Sequence, residues 1–233
     1  MRRAAGRQRS AALALALALA LAACGGGGGA KPATPTPSAT AGAAGKGTPV
    51  TQEQALVLAQ LLERNWEHGG AQFNGTIPFQ GQQVPISGSV DFRSGRGKAA
   101  VGAPAADARH YVWTREKVYA QSAPGKASYE TQTPNPKGDP VHFAIAFLNL
   151  LSAETIDNTA NIQDQDARFL RHDTLHGTPV DVYSYGSDAG TTYWVDRKTG
   201  LLRQVAADVA TGGRIELTLT SHAPVKISLP GTA

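Results

Sequence analysis

One cysteine, Cys24, stands in 233 residues, and it lies ahead of the part of the chain with globular composition. A chain without a second cysteine forms no internal disulfide, so an exported domain of this kind draws its stability from an apolar core. The Ala/Leu run from Ala11 to Ala23 falls short of the roughly 20 residues that a membrane-spanning helix needs. Excess positive charge is missing too, once the N-terminus is set aside. Arg2, Arg3, Arg7 and Arg9 precede Cys24 with no acid among them; the whole chain holds 22 Lys+Arg and 18 Asp+Glu, so the rest balances at 18 of each. The basic pI belongs to the N-terminus, and the basic footprint of a nucleic-acid partner is absent.

Catalytic patterns are lacking as well. No Gly-x-Ser-x-Gly elbow occurs. Gly95-Arg96-Gly97-Lys98 has phosphate-loop spacing but no surrounding βαβ unit, so it reads as a hairpin turn with solvated cations. His172 and His176 are four apart, a chelating interval on a helix, but the segment is extended and holds the rings more than about 10 Å apart. Neither His110, His142 nor His222 has an obvious partner in sequence, and Asp157, Asp164 and Asp166 fall in a polar run that reads as a solvated loop. The expectation is a protein with no catalytic residue, no metal and no cofactor.

What is present begins with the export signal. The four arginines followed by the Ala/Leu run form a charged region and a short apolar region, the pattern of a secretory signal over residues 1–23. Leu21-Ala22-Ala23-Cys24 resembles the lipobox of bacterial lipoproteins, which implies acylation of Cys24 and a cell-membrane location, lipid-anchored on the extracytoplasmic face. Two or three acyl chains, at roughly 0.8 kcal/mol per buried methylene, tether a protein to a membrane without spanning it. Residues 24–50 are rich in Gly, Ala, Pro, Ser and Thr with no aromatic residue, the composition of a disordered stalk of about 30 Å mean extent.

Residues 51–233 have the size of one domain. Thr51 with Gln54 fits a capping box; Leu58, Leu61, Leu62 and Trp66 follow at helical spacing, and Gly69-Gly70 supplies the stop. The period then changes from 3.6 to 2. Phe73, Ile77 and Phe79 share a face opposite Gln72, Asn74 and Thr76, and Val84, Ile86, Val90 and Phe92 repeat the pattern after a short turn. KAAVGA, HYVWT, KVYAQS and YETQT are further strand candidates. The apolar run 142–152 predicts a second helix covered on most sides, and RFLRHDTL, PVDVYSYG, TTYWVD, LLRQVAADV, RIELTLT and VKISL return to strand patterns. About ten strands and two principal helices make an α+β domain, one large antiparallel sheet with helices against one face.

The C-terminal segment LHGTPVDVYSYGSDAGTTYWVDRKTGLLRQVAADVATGGRIELTLTSH resembles the corresponding part of the LppX/LprG-type bacterial lipoproteins and, more distantly, of LolA/LolB-like lipoprotein carriers. It shares a glycine before a V-x-V-x strand, an aromatic-Val-Asp strand end, a DRKTGL turn and closing strands around a glycine turn. The resemblance covers roughly residues 50–230. It implies a large curved antiparallel sheet, a half-barrel whose concave face is covered by helices, with an apolar cavity for acyl chains between them. It also implies a non-catalytic role: binding and carrying or presenting a lipid or acylated ligand in the cell envelope.

The candidate pocket residues are Leu58, Leu62, Trp66, Phe73, Phe92, Phe143, Phe147 and Leu151. Core packing and pocket lining remain open for each, because both demand the same apolar pattern. If every one of them is packed, the alternative is an envelope interaction module with a filled core, a protein partner and no lipid cargo. Pro134, Pro136, Gly138 and Pro140 supply hinges for a lid over 135–152.

Overall fold

The computed structural model describes residues 47–103, 107–185, 190–210 and 212–231. The signal segment, Cys24 and most of the predicted stalk lie outside the described residues. Those described fall within one compact unit, Gly42–Ala233.

Helix α1 spans Gln52–His68. Both halves of its capping box form: Gln54 N–H donates to Thr51 Oγ1 at 3.2 Å, and Thr51 N–H donates to Gln54 Oε1 at 2.9 Å. Gly69, at φ 80°, adopts the left-handed conformation that ends the helix at no steric cost. The buried face carries Ala55, Leu58, Ala59, Leu61 and Asn65.

Two antiparallel meanders follow. The first comprises β2 (Ala71–Phe79), β3 (Gln82–Asp91), β4 (Arg96–Val101), β5 (Arg109–Trp113), β6 (Val118–Gln121) and β7 (Tyr129–Gln132). Helices α2 (Pro140–Asn149) and α3 (Thr159–Asp164) intervene. The second comprises β8 (Arg168–Leu175), β9 (Thr178–Ser184), β10 (Thr191–Asp196), β11 (Leu202–Asp208) and β12 (Arg214–His222). A two-residue strand β1, Thr48–Pro49, pairs with β8. β12 pairs with β2 and joins the meanders into one sheet, ordered β1-β8-β9-β10-β11-β12-β2-β3-β4-β5-β6-β7. β1 and β7 end the order without pairing to each other, so the sheet is an open half-barrel.

The concave face carries Phe73 and Ile77 from β2, Ile86 and Val90 from β3, Tyr111 and Trp113 from β5, and Ile215, Leu217 and Leu219 from β12, in one cluster with residues of all three helices. Curvature needs small residues on the inside of the bend. Gly97 pairs across the ladder with Trp113, whose indole lies where a Gly97 side chain would stand. Trp113 Nε1–H donates in turn to Asn149 Oδ1 at 3.3 Å, tying this corner to the end of α2.

Five local features differ from the sequence expectation. Among the described residues there are twelve strands instead of about ten. VKISL, at 225–229, is no strand: β12 already has β11 on one side and β2 on the other, so no ladder position next to it is left for a following segment. The polar run after Asp157 holds a helical turn, α3, because Asn158 caps it (Ala160 N–H to Asn158 Oδ1, 2.9 Å) and Ile162 buries itself in the core. α2 stops at Asn149, earlier than predicted, with Leu150 as its cap. The convex face also carries a second small apolar cluster, Val180, Val182, Trp194 and Ala206, with Leu170 and Leu175 packed against it.

Candidate functional site

α2 is placed by its N-terminus. Asp139 Oδ1 accepts from Val141 N–H at 2.7 Å and His142 N–H at 3.1 Å, and Pro140 occupies the first turn, where a missing N–H costs nothing. His142 is buried and bridges this end to the sheet edge. Its Nδ1 accepts from Asn135 N–H at 3.0 Å, so Nε2 carries the proton and donates to Gln132 Oε1 at 3.1 Å. Val141, Ala144, Ile145 and Leu148 face inward, fully buried.

On a neighbouring part of α2, Phe143 and Phe147 stack on each other, centroids 6.0 Å apart and planes 11° from parallel. They are half-buried and packed against the core, as are Val57, Val84, Val101, Phe169, Tyr185 and Tyr193. Tyr185 and Tyr193 form a second aromatic pair at 6.5 Å. Burial pushes the Tyr193 hydroxyl up to about 12, with Tyr185 adding to it; burial also raises Tyr185, with Asp157 as the second cause. Both phenols stay neutral at ordinary pH, the state suited to an apolar layer with a polar tip.

The segment after α2 runs along α1 as a strap. Ala153 N–H donates to Leu62 O at 3.1 Å, Asp157 N–H to Ala59 O at 3.2 Å, and Asn65 Nδ2 to Leu151 O at 2.7 Å. Asn65 Oδ1 is buried with no partner. Two large apolar side chains near this strap face solvent, Leu150 at 70% and Ile156 at 47% exposure.

The eight residues singled out from sequence divide into two groups. Leu58, Phe73, Phe92 and Leu151 are buried in the core between sheet and helices. Leu62, Trp66, Phe143 and Phe147 are half-buried. Trp66 lies beneath Arg93, away from the Phe143–Phe147 stack in sequence and held by its own partner. None of the eight lines the cleft of about 570 Å³ at the tip of the β2–β3 hairpin, formed by Pro78 to Gln83, Gly138, Pro140, Gly212 and Gly213, where Phe79 is 42% exposed. Sequence reasoning missed this opening, whereas the alternation of aromatics marks Tyr185 and Tyr193 as sheet packing or the rim of a cavity. A second cleft, of about 400 Å³, lies beside the β8–β9 turn and is lined by His176, Arg203, Thr218 and Thr220 among others.

His172 and His176 do not converge. His172 Nδ1 sits 2.6 Å from Asp181 Oδ1, and His176 lies in the β8–β9 turn at φ 48°. Among the described residues no group of three or more His, Cys, Asp or Glu is arranged to hold a metal, and no helix is long and apolar enough to cross a membrane.

An uninterrupted antiparallel sheet, open at both edges and covered by helices on its concave side, defines an open half-barrel fold. No protein-family model and no curated protein matches the chain. Among solved structures it is similar to the Mycobacterium tuberculosis lipoprotein LppX (TM-score 0.46, 10% identity, 75% of this chain and 98% of that one). It is also similar to MucB (0.42, 14%, 73% and 58%) and to a LolA superfamily protein from Nitrosomonas europaea (0.32, 9%, 77% and 96%). The chain thus spans just over half the length of MucB.

Proposed function

We propose that the protein is a lipid-anchored, extracytoplasmic binding protein that holds a lipid or the acyl chain of a lipidated molecule between its sheet and its helices, and carries or presents it in the cell envelope. The observation that carries this reading is the incompletely sealed apolar layer along α2: a stacked pair of phenylalanines, Phe143 and Phe147, packed against the core yet half open to solvent. Aromatic pairs of this size are ordinarily interior groups. Left half covered beside a helix, they offer apolar surface to a flexible chain. An acyl chain gains about 0.8 kcal/mol per methylene it buries, so ten methylenes offer about 8 kcal/mol before ordering costs.

In this reading Leu58, Phe73, Phe92 and Leu151 are the floor of the layer and Phe143 and Phe147 its open side, while Trp66, covered by Arg93, lies outside it. The membrane attachment through Cys24 rests on the sequence pattern alone. A specific observation favours a second reading: four of the eight candidate residues are already packed to 6% exposure or less, as expected of an interaction module with a filled core.

Mass spectrometry of organic extracts from the purified full chain, followed by uptake of a fluorescent fatty acid, separates the two. Co-purified lipid, or saturable uptake that falls in Phe147→Asp, supports the carrier. An empty protein that takes up nothing supports the interaction module.

A further inference from the structure

A cleft of about 270 Å³ lies between α1 and the turn joining β10 to β11. Arg64, Arg197 and Lys198 line it together with two acids, Asp181 and Asp196. Both acids are already engaged. Asp181 meets His172 Nδ1 at 2.6 Å, Arg197 Nε at 3.4 Å and the Tyr183 hydroxyl at 3.4 Å. Asp196 is held by Arg203 at 2.8 and 3.1 Å and accepts from the Lys198 and Thr199 N–H groups; these bonds keep its carboxyl below the ordinary range although burial opposes them.

Arg64, by contrast, touches only neutral oxygens, Gln60 Oε1 at 2.6 Å and Thr199 O at 3.0 Å, and neither it nor Lys198 is paired with an acid among the described residues. Gly200 makes the arrangement possible: it sits at φ 68°, and a side chain there would occupy the space of the Arg64 guanidinium. The remaining wall is apolar, made of Val57, Tyr183 and Val195, and all three belong to or pack against the core.

We propose that this cleft binds a phosphate monoester, with Arg64 and Lys198 as its cationic contacts and Val57, Tyr183 and Val195 leading an attached tail toward the core. Two cations without counter-ions match the near-dianionic charge of a monoester near neutral pH, whereas a diester would leave one uncompensated. An arginine fork beside a flexible ammonium also suits phosphate oxygens in both directional and point-charge fashion. The tail's destination rests on the carrier reading; the phosphate site does not.

The test is isothermal titration of the full chain with three soluble probes: dihexanoylglycerol 3-phosphate, dihexanoylglycerol, and glycerol 3-phosphate. The tailed phosphate is expected to bind about tenfold more tightly than its neutral counterpart. That advantage should disappear in Lys198→Met and in Arg64→Met but persist in Lys226→Met, a surface control. Lys198 is exposed on a turn, so its variant keeps the fold even if Arg64→Met does not. Glycerol 3-phosphate binding as tightly as the tailed probe, and lost in Lys198→Met, also supports the site and names a free phosphate ester as its ligand. Equal binding of the two tailed probes overturns the phosphate site and leaves the carrier standing. Binding of glycerol 3-phosphate as tight as that of the tailed phosphate, with no binding of dihexanoylglycerol, overturns the carrier and leaves the site. Absence of binding by all three overturns the site.

Discussion

Arg93 covers Trp66: the guanidinium carbon lies 5.2 Å from the indole centroid, while Nε donates to Trp66 O at 3.2 Å and Nη2 to Glu67 O at 2.8 Å. One side chain from the β3–β4 turn therefore satisfies two carbonyls at the end of α1 and packs on the last aromatic of that helix. Arg93→Ala is expected to cost about 1–2 kcal/mol, summing an exposed cation–π contact and the net value of two solvent-accessible hydrogen bonds. Arg93→Lys should fall between, because an ammonium lacks the fork. The urea midpoint measures both, and Trp66 emission should shift in the alanine variant.

Gly97 and Trp113 form a cross-strand pair in which the ring takes the place of the missing side chain. Gly97→Ala is expected to destabilise by about 2–3 kcal/mol through overpacking. Combined with Trp113→Leu, the two costs should add to less than their sum, which a double-mutant cycle reads directly.

His222 is pushed down to about 4, first by burial and then by the nearby charges of Arg203 and His68; its ring meets that of His68 edge-on at 5.9 Å, and its Nε2 is buried without a partner. An unfolded histidine titrates near 6.5, so between about 4 and 6.5 the unfolded chain binds more protons than the folded one. Stability is therefore complete above about pH 6.5 and declines as pH falls toward 4, by about 1–2 kcal/mol once solvent screening is allowed for. Urea midpoints at pH 4, 5, 6 and 7 should show this slope in the native chain and a flatter one in His222→Gln.

His142 fixes the start of α2 with both ring nitrogens, accepting from Asn135 and donating to Gln132. His142→Leu leaves two groups without partners and is expected to cost about 2–3 kcal/mol. Hydrogen exchange should quicken at β7 and at Asn135 while α1 stays protected. Uniform quickening across the sheet would show that the clamp is not local.

Much of this architecture was readable from residue order. Thr51, Gln54 and Gly69 announce both ends of α1, and the change of period after Gly70 marks β2 and β3. VKISL has the same alternation as a true strand, but strand pattern says nothing about whether a neighbouring ladder position is vacant, and beside β12 none is. α3 was hidden because Ile162 is the one apolar anchor in a polar run. The apolar cluster around Trp194 departs from the alternation rule, which predicts one buried face, whereas β9 and β10 bury residues on both. The candidate site shows the same boundary. Leu58 and Phe147 follow one helical rule, yet one is sealed and the other half open, since coverage depends on elements far along the chain.

The joining of β12 to β2 also governs the order in which the molecule can assemble. β2 is among the first strands to leave the ribosome, and its partner β12 follows all the other described strands. Until β12 arrives, the middle of the sheet presents a bare hydrogen-bonding edge, and contacts of such long sequence separation form slowly. A chain of this topology has to be shielded from aggregation until β12 closes the seam.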